Sequence, residues 1–325
     1  MRDNYGRAIS YIRISVTDRC NLRCRYCMPE TGISKLDHSQ ILSFEDTVAI
    51  AEAVSDLGIS KIRLTGGEPL VRRNITGLVG RLAEIPGIEE VTLTTNGTLF
   101  AQMAKSLHSQ GLKRVNFSMD SLIAEKYRFI TRDGSLQDAW KGILAAMELG
   151  MNPVKINTVI IKGFNDDEIL QFADLAYRFP LQIRFIEFMP VGDLLFWDQS
   201  RVISIQEVKT IIGKQYNLLP TLQAGNGPAE QFKLEGGQGG VGFISPLSNH
   251  FCAKCNRIRL TAEGKLRTCL YDYHETDLKS ALVEGIGRAE LAQLIAQAIS
   301  RKPERHHMDC GWGENNNRKM YQIGG

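Results

Sequence analysis

No stretch of the 325-residue chain approaches the roughly 20 consecutive apolar residues that a bilayer-spanning helix requires. The opening residues, MRDNYGRAISYIRISVTD, hold no apolar core of signal-peptide length, which predicts a cytoplasmic protein without membrane contact. Charge of one sign is also scarce, since 39 Lys and Arg stand against 36 Asp and Glu for a formal net charge of +3. That balance, with many short apolar runs, excludes a disordered, collagen-like or coiled-coil chain. A sequence pI near 8.4 is too mild to call for nucleic acid. Internal repeats are absent. What remains is a globular composition, 43% hydrophobic and 23% charged, of a length that fits two domains or one barrel with an extension.

Cysteine departs from this ordinary picture. Of seven, Cys20, Cys24 and Cys27 form one tight group, Cys252, Cys255 and Cys269 a second, and Cys310 stands apart. An odd total in close-spaced triplets does not fit a secreted disulfide framework; in a reducing compartment such groups read as metal ligands. The first reads C-x3-C-x2-C directly after a strand, and soft thiolates at that spacing suit iron–sulfur or zinc. A four-iron cubane held by three thiolates keeps one open iron, able to bind and react with a small molecule. The rival is a structural zinc completed by a distant ligand such as His38. The second group, C-x2-C-x13-C, has the same shortage, and its rival is a zinc completed by His250 or Cys310.

From residue 9 to about 212, short apolar strands alternate with amphipathic helices. The strands are expected at Ile9–Val16, Lys61–Thr65, Glu90–Thr95, Arg114–Met119, Val154–Ile161 and Leu181–Phe188, and the helices at Phe44–Leu57, Asn74–Ile85, Phe100–Ser109, Leu136–Leu149 and Asp166–Phe179. Ser43 with Asp46, and Asn165 ahead of three acids, read as helix starts. Gly58, Gly87, Gly111 and Gly150 read as helix stops. Such alternation calls for a parallel sheet, whose closure periodicity does not decide. The strands carry unusual polarity. Arg13, Arg63 and Lys155 sit between aliphatic neighbours, and Thr92, Thr94, Asn116 and Ser118 occupy alternate positions. With a period of two, each strand then has one apolar and one polar face. Parallel strands are normally apolar on both faces, so these polar faces are expected to share a barrel interior that receives an anionic ligand. Solvated edge strands are the alternative. Leu181–Phe188 is ambiguous, because Arg184 and Glu187 fall on opposite faces.

Beyond about residue 215 the alternation stops. Residues 224–242 are glycine-rich and read as loops around a short strand. A strand pair follows near Ile258–Leu260 and Leu266–Leu270, then helices near Leu278–Leu282 and Arg288–Ile299. The expected organisation is a barrel domain over 1–220 and a cluster- and substrate-binding extension over 221–325.

The first cysteine group, with Tyr26 before its last cysteine, resembles the signature of radical S-adenosylmethionine (SAM) enzymes. Thr65-Gly66-Gly67-Glu68-Pro69, after the second strand, is similar to the glycine-glycine-glutamate-proline motif of that superfamily. The run Asn249-His250-Phe251-Cys252-Ala253-Lys254-Cys255-Asn256-Arg257-Ile258-Arg259, with Gly264 and Cys269-Leu270, resembles the GTP 3′,8-cyclase family of molybdenum cofactor biosynthesis. The resemblance spans nearly the whole chain, through Asn116-Phe117-Ser118-Met119-Asp120, Arg184-Phe185-Ile186-Glu187-Phe188-Met189 and the closing Gly324-Gly325. It implies an α/β fold, a partial (β/α)6 barrel of the radical SAM type with a C-terminal extension carrying a second iron–sulfur cluster. The implied cofactors are two [4Fe-4S] clusters, one on each cysteine triplet, and SAM.

Residue by residue, the resemblance assigns SAM to Tyr26, Gly67, Ser118 and Met189, and GTP to Arg13, Arg63, Thr94, Lys155, Arg257 and Arg259. Arginine offers a planar fork for phosphate and lysine a point charge. By resemblance the tail Gly324-Gly325 enters the active site and assists radical initiation, whereas the residues alone read as a frayed end. The sequence places His306-His307 on a surface loop, Trp197 and Trp312 in packing roles, and Cys310 as a spare thiol. In the implied reaction SAM cleavage gives a 5′-deoxyadenosyl radical that abstracts the ribose 3′ hydrogen, and the carbon radical attacks guanine C8. The implied partners are a flavodoxin- or ferredoxin-like electron donor and the next enzyme, cyclic pyranopterin monophosphate synthase, with a homodimer left open. Two rivals remain at this stage: a radical SAM maturase acting on a peptide, and a non-catalytic, zinc-stabilised nucleotide-binding module.

Overall fold

A computed structural model describes residues 1–33, 36–191, 196–221, 227–308 and 318–324. The first half alternates β1 (Tyr11–Ser15), α1 (Phe44–Asp56), β2 (Lys61–Thr65), α2 (Ile75–Ala83), β3 (Glu90–Thr95), α3 (Phe100–Ser109) and β4 (Arg114–Ser118). Then come α4 (Ala124–Thr131), α5 (Leu136–Glu148), β5 (Val154–Ile160), α6 (Ile169–Arg178), β6 (Leu181–Glu187) and α7 (Ile205–Gly213). The C-terminal part adds β7 (Leu218–Pro220), β8 (Glu230–Leu234), β9 (Gly240–Ile244), β10 (Arg257–Leu260), β11 (Lys265–Arg267), β12 (Thr276–Asp277), α8 (Leu278–Val283), α9 (Arg288–Ser300) and α10 (Met320–Ile323).

β1 to β6 pair in sequence order, all parallel. The barrel stays open, because each edge is extended by later strands instead of closing on the other. β9 joins β6 in parallel and continues into the antiparallel β8 and β7. β10 joins β1 in parallel and continues into β11 and β12. The hydrogen-bonded sheet therefore runs unbroken across residue 220. Helices α4 and α7 are short, and neither was anticipated from the sequence.

Strand parity is as the polar pattern predicts. Ile12, Ile14, Ile62, Leu64, Val91, Leu93, Val115, Phe117, Ile156, Ile183 and Phe185 lie in the core outside the sheet, against the helices. Burial of such side chains, worth about 1.5–3 kcal/mol each, leaves the opposite face free to be polar. The ambiguous strand is settled the same way. Arg184 stands level with Asn157 and Gly242 on the inner face. Glu187 is buried outside, where it accepts from Ile205 N at 3.3 Å, Leu247 N at 2.9 Å and Ser248 N at 3.0 Å.

Helix α1 opens with the expected reciprocal cap, Asp46 N donating to Ser43 Oγ at 2.9 Å and Ser43 N to Asp46 Oδ2 at 3.0 Å. Asn165 corrects the sequence reading. It does not cap a helix; it is fully buried, and Asp166–Glu168 forms a 3₁₀ turn before α6. Its amide donates to Asp120 O at 2.6 Å and Val159 O at 2.9 Å, and its Oδ1 accepts from Ile161 N at 2.7 Å. It thus ties the ends of β4 and β5 together. Among the described residues no helix is long and apolar enough to cross a membrane.

Asn165→Ala removes the partner of three backbone groups, Ile161 N and Asp120 O buried and Val159 O part-buried, each a costly loss. The expected outcome is a fall in unfolding free energy of about 3 kcal/mol, read from the urea midpoint; a change below about 1 kcal/mol would contradict the tie between the two strands.

Candidate functional site

The inner faces of the strands line one large cavity. The register sets Arg259, Arg13 and Arg63 side by side across β10, β1 and β2, followed by Thr92 and Arg114 across β3 and β4. A second row runs through Thr94, Asn116 and Lys155. Arg63 Nε donates to Thr92 Oγ1 at 3.1 Å, and Arg114 pairs with Glu90. Several inner polar atoms have no partner among the described residues: Thr94 Oγ1, Asn116 Nδ2, Asn157 Oδ1 and Arg184 Nε. Buried polar groups are ordinarily bonded, so this concentration marks a cavity shaped for a polar guest.

The electrostatics point to an anion. Burial lowers Arg13 to about 10, with Arg63 and Arg257 repelling it further. Burial lowers Arg184 to about 9, aided by Arg63. Lys155 is pulled to about 6 by burial, then by Arg184, Arg114 and Arg63. Carboxylates lie at the other level of the cavity. Burial raises Glu68 to about 7 although Asn96 N, Thr95 Oγ1 and Leu70 N all donate to it. Asp120 rises to about 6 through burial, offset by bonds from Tyr26 OH at 2.7 Å and Val159 N at 2.9 Å.

The first cysteine loop follows the C-terminal end of β1 and hangs on the end of α4. Arg23 N donates to Thr131 O at 3.1 Å and Arg25 N to Ile130 O at 2.9 Å. Arg132 has a positive φ of 65°, rare for a residue with a side chain. From there its guanidinium spans the loop, donating to Arg23 O and Met28 O, both at 2.8 Å. The glycine pair after β2 fits against this loop: Gly67 N donates to Thr17 O and Glu68 N to Arg19 O, both at 2.8 Å. A Cβ on Gly66 would meet Thr17 O at 2.6 Å, and one on Gly67 would meet Arg19 O at 2.4 Å. Only glycine permits that approach.

The second triplet lies at the opposite mouth. Because β10 is parallel to β1, Cys252 and Cys255 precede the strand end level with Tyr11, and antiparallel β11 returns Cys269 to the same level. All six cysteines line the cavity. Burial pushes Cys20 up to about 11 and Cys27 to about 12, and Cys24 well above the usual thiol range. Burial acts upward on Cys255 too, but Arg257 and Lys302 overcome it and bring the thiol to about 7.

The donor sets fit cubanes better than zinc. Among the described residues no three cysteine sulfurs lie within 4.8 Å of one another. Tetrahedral zinc, with Zn–S about 2.3 Å, would draw them to roughly 3.8 Å; thiolates on separate irons of one cubane stand wider. One mixed group does converge within 4.8 Å, His250, Cys252 and His306. Its hydrogen bonds oppose a metal. Met308 N donates to His306 Nδ1 at 3.3 Å, which leaves the proton on Nε2, 3.2 Å from His250 Nδ1. A ligating imidazole instead donates from its outer nitrogen. His38 lies in an exposed turn and is not part of the cavity.

The expected SAM contacts Tyr26, Gly67, Ser118 and Met189, and the expected GTP contacts Arg13, Arg63, Thr94, Lys155, Arg257 and Arg259, all line this cavity. Two expectations need correction. His306 is buried at the cavity wall instead of on a surface loop, while His307 is exposed. The tail does not fray: Ile323 is fully buried, and Gly324, at a φ of 75°, lies against Thr65 and Ser15 with its carbonyl bonded by Arg259 Nη1. Gly325, Cys310, Trp312 and residues 224–226 fall outside the described residues. Trp197 packs as expected, donating to Phe188 O at 3.1 Å. Sequence reasoning gives no role to Lys61, Arg114, Asp120 or Lys302, all at the cavity. Parity alone could have found the first two, which lie two residues before Arg63 and Asn116 on the same faces.

Comparison with known proteins places these features in a context. A model of the radical SAM superfamily matches residues 14–176, and one described as Molybdenum Cofactor Synthesis C matches 181–308. The chain is 58% identical over 326 residues to a GTP 3′,8-cyclase of Syntrophomonas wolfei and 53% identical over 326 residues to one of Moorella thermoacetica, each alignment covering 100% of both chains. Among solved structures, SuiB of Streptococcus suis aligns at TM-score 0.56 and 14% identity, over 81% of this chain and 61% of SuiB. The last likeness concerns the fold alone.

A Cβ at Gly324 would meet Thr65 Oγ1 at 2.3 Å. Gly324→Ala is therefore expected to expel the tail, making it sensitive to carboxypeptidase and lowering turnover about tenfold or more, as misplaced active-site groups do, with iron content unchanged. A tail that stays protected in the variant would contradict this placement.

Proposed function

The chain belongs to the GTP 3′,8-cyclase family of the radical SAM superfamily, and we propose that this cavity carries that reaction through the residues assigned below. The enzyme converts GTP to (8S)-3′,8-cyclo-7,8-dihydroguanosine 5′-triphosphate, the first step of molybdenum cofactor biosynthesis, with two [4Fe-4S] clusters and SAM. The observation that supports the site assignment is the layering of the cavity: thiols at both mouths, with cations and unpartnered polar atoms between.

Cys20, Cys24 and Cys27 hold the first cluster, and Tyr26, Gly67, Ser118 and Met189 hold SAM beside it. When bound there, the cluster and SAM supply the radical that abstracts the ribose 3′ hydrogen. Cys252, Cys255 and Cys269, at the other mouth of the cavity, would hold the second cluster. Arg13, Arg63, Thr94, Lys155, Arg257 and Arg259 bind GTP, joined by Lys61, Arg114 and Arg184. A triphosphate beside these side chains relieves their mutual repulsion and supplies the anion that buried cations demand. The closing Gly324-Gly325 assists radical initiation, and of the two Gly324 lies against Thr65 and Ser15, at the ends of β2 and β1. The chain's own task is to position the nucleotide and keep water and oxygen out, while the cofactors supply the radical chemistry. The reading calls for a one-electron donor such as flavodoxin or ferredoxin. It also calls for delivery of product to cyclic pyranopterin monophosphate synthase, in the cytoplasm.

Two experiments test it. Cys24→Ala is expected to abolish SAM cleavage, whereas Cys255→Ala spares some uncoupled cleavage and loses cyclisation; identical behaviour of the two in both assays refutes separate roles. Lys155 titrates near 6 because of burial and neighbouring arginines, so at pH 8 it is mostly neutral. A bound triphosphate favours its charged form and raises that value, so GTP binding at pH 8 should take up a proton. Calorimetry in buffers of different ionisation enthalpy reads the uptake, which Lys155→Met should remove. Binding without proton uptake in the native chain would contradict the contact.

A further inference from the structure

The second cysteine triplet is surrounded by cations, and one of them has no acidic partner among the described residues. Lys302 follows α9 and is 2% exposed. Its ammonium donates to Arg257 O at 2.9 Å and to Thr268 O. Those carbonyls belong to the two arms of the triplet, one two residues past Cys255 and the other immediately before Cys269. The segment carrying Lys302 is itself pinned. Arg7, buried and paired with Asp3 at 2.6 Å, donates to Pro303 O at 2.7 Å, Glu304 O at 2.8 Å and Cys252 O at 3.0 Å.

The neighbouring cations are otherwise engaged. Asp3 neutralises Arg7. Arg259 is bonded to the tail carbonyls of Ile323 and Gly324. Arg257 lies over the Phe251 ring, 5.0 Å from its centroid, and bonds Cys255 through its side chain. Among the described residues Lys302 has carbonyl dipoles alone, and a buried ammonium without a counter-anion is strongly disfavoured. The group it faces is the second triplet: its two carbonyl partners lie on the arms of Cys255 and Cys269, and Lys302 lines the same cavity as all three cysteines.

We propose that Lys302 is a positioning residue of the second cluster, holding the arms of Cys255 and Cys269 together and providing the fixed positive charge that balances the cluster. One-electron reduction adds a negative charge to a cluster, and nearby fixed charge and hydrogen bonds set how readily it is accepted. Lys302 therefore makes the second cluster easier to reduce than the same ligands would alone. The inference rests on the reading that the second triplet binds a cluster.

The test uses the full chain, loaded anaerobically, with the reduction potential of each cluster followed by electron paramagnetic resonance. Lys302→Gln keeps a donor but removes the charge, and should move the second cluster's potential negative while leaving the first cluster and its SAM cleavage unchanged. Lys302→Arg should restore the native potential. Lys302→Met, lacking both donor and charge, should in addition release second-site iron to a chelator several-fold faster than native. Native potential and native iron retention in both Lys302→Gln and Lys302→Met would overturn the proposal. Iron absent from the second triplet of the native chain would instead overturn the cluster reading, so the two failures are distinguishable.

Discussion

The pairing of β10 alongside β1, parallel and with Arg259 opposite Arg13, is the constraint on which the site depends. Parallel neighbours point the same way, so a loop leaving the end of one and a loop entering the start of the other fall at opposite mouths. The first cysteine loop leaves β1, and Cys252 and Cys255 enter β10, so the paired segment Tyr11–Ser15 separates them by roughly 13 Å at 3.3 Å per residue. An antiparallel β10 would have brought both triplets to one mouth and left the lumen without its second wall. The same register completes the cationic row, since Arg257 and Arg259 enter the cavity only because β10 is in phase with β1.

The charges are layered along that axis. Glu68 and Asp120 sit beside the first cysteine loop, at the C-terminal ends of β2 and β4, while Arg13, Arg63, Lys155, Arg184, Arg257 and Arg259 occupy the middle and far mouth. The two thiol sets differ accordingly. Burial dominates at Cys20, Cys24 and Cys27 and holds them protonated until a metal displaces the protons. At Cys255 fixed cations already favour the thiolate. The two mouths therefore present different electrostatic surroundings to the same ligand type.

Much of this was legible in the sequence, because the signals are local. Period-two polarity in β1 to β5 gave a shared polar interior, and β2 and β3 begin and end where the pattern predicts. The cysteine spacings and the glycine pair after β2 picked out residues that the fold brings to one cavity. What escaped depends on contacts between distant segments. Nothing in RIRL announces a strand that pairs with β1, some 245 residues earlier. Lys302 reads as an ordinary lysine after a helix until Arg257 O and Thr268 O close on it. Asn165 looks like a cap because Asn before three acids usually is one, yet its amide reaches Asp120 and Val159 across two strands. His306 beside an exposed histidine looks like a loop residue, and only tertiary folding turns it inward.

The lumen also bears on how the fold tolerates its own site. Like charges are stacked side by side, and among the described residues polar atoms at Thr94, Asn116, Asn157 and Arg184 lack partners, so the inner faces of the strands work against stability. The opposite faces of the same strands offset this, because their aliphatic and aromatic side chains are fully covered by the surrounding helices. The sheet is thus held from outside and charged from inside. A triphosphate entering such a cavity meets groups already fixed in place by the strands, so little ordering opposes binding, and relief of repulsion adds to the direct contacts. The sheet leaves its polar interior unfinished, which is what a bound anionic guest would complete.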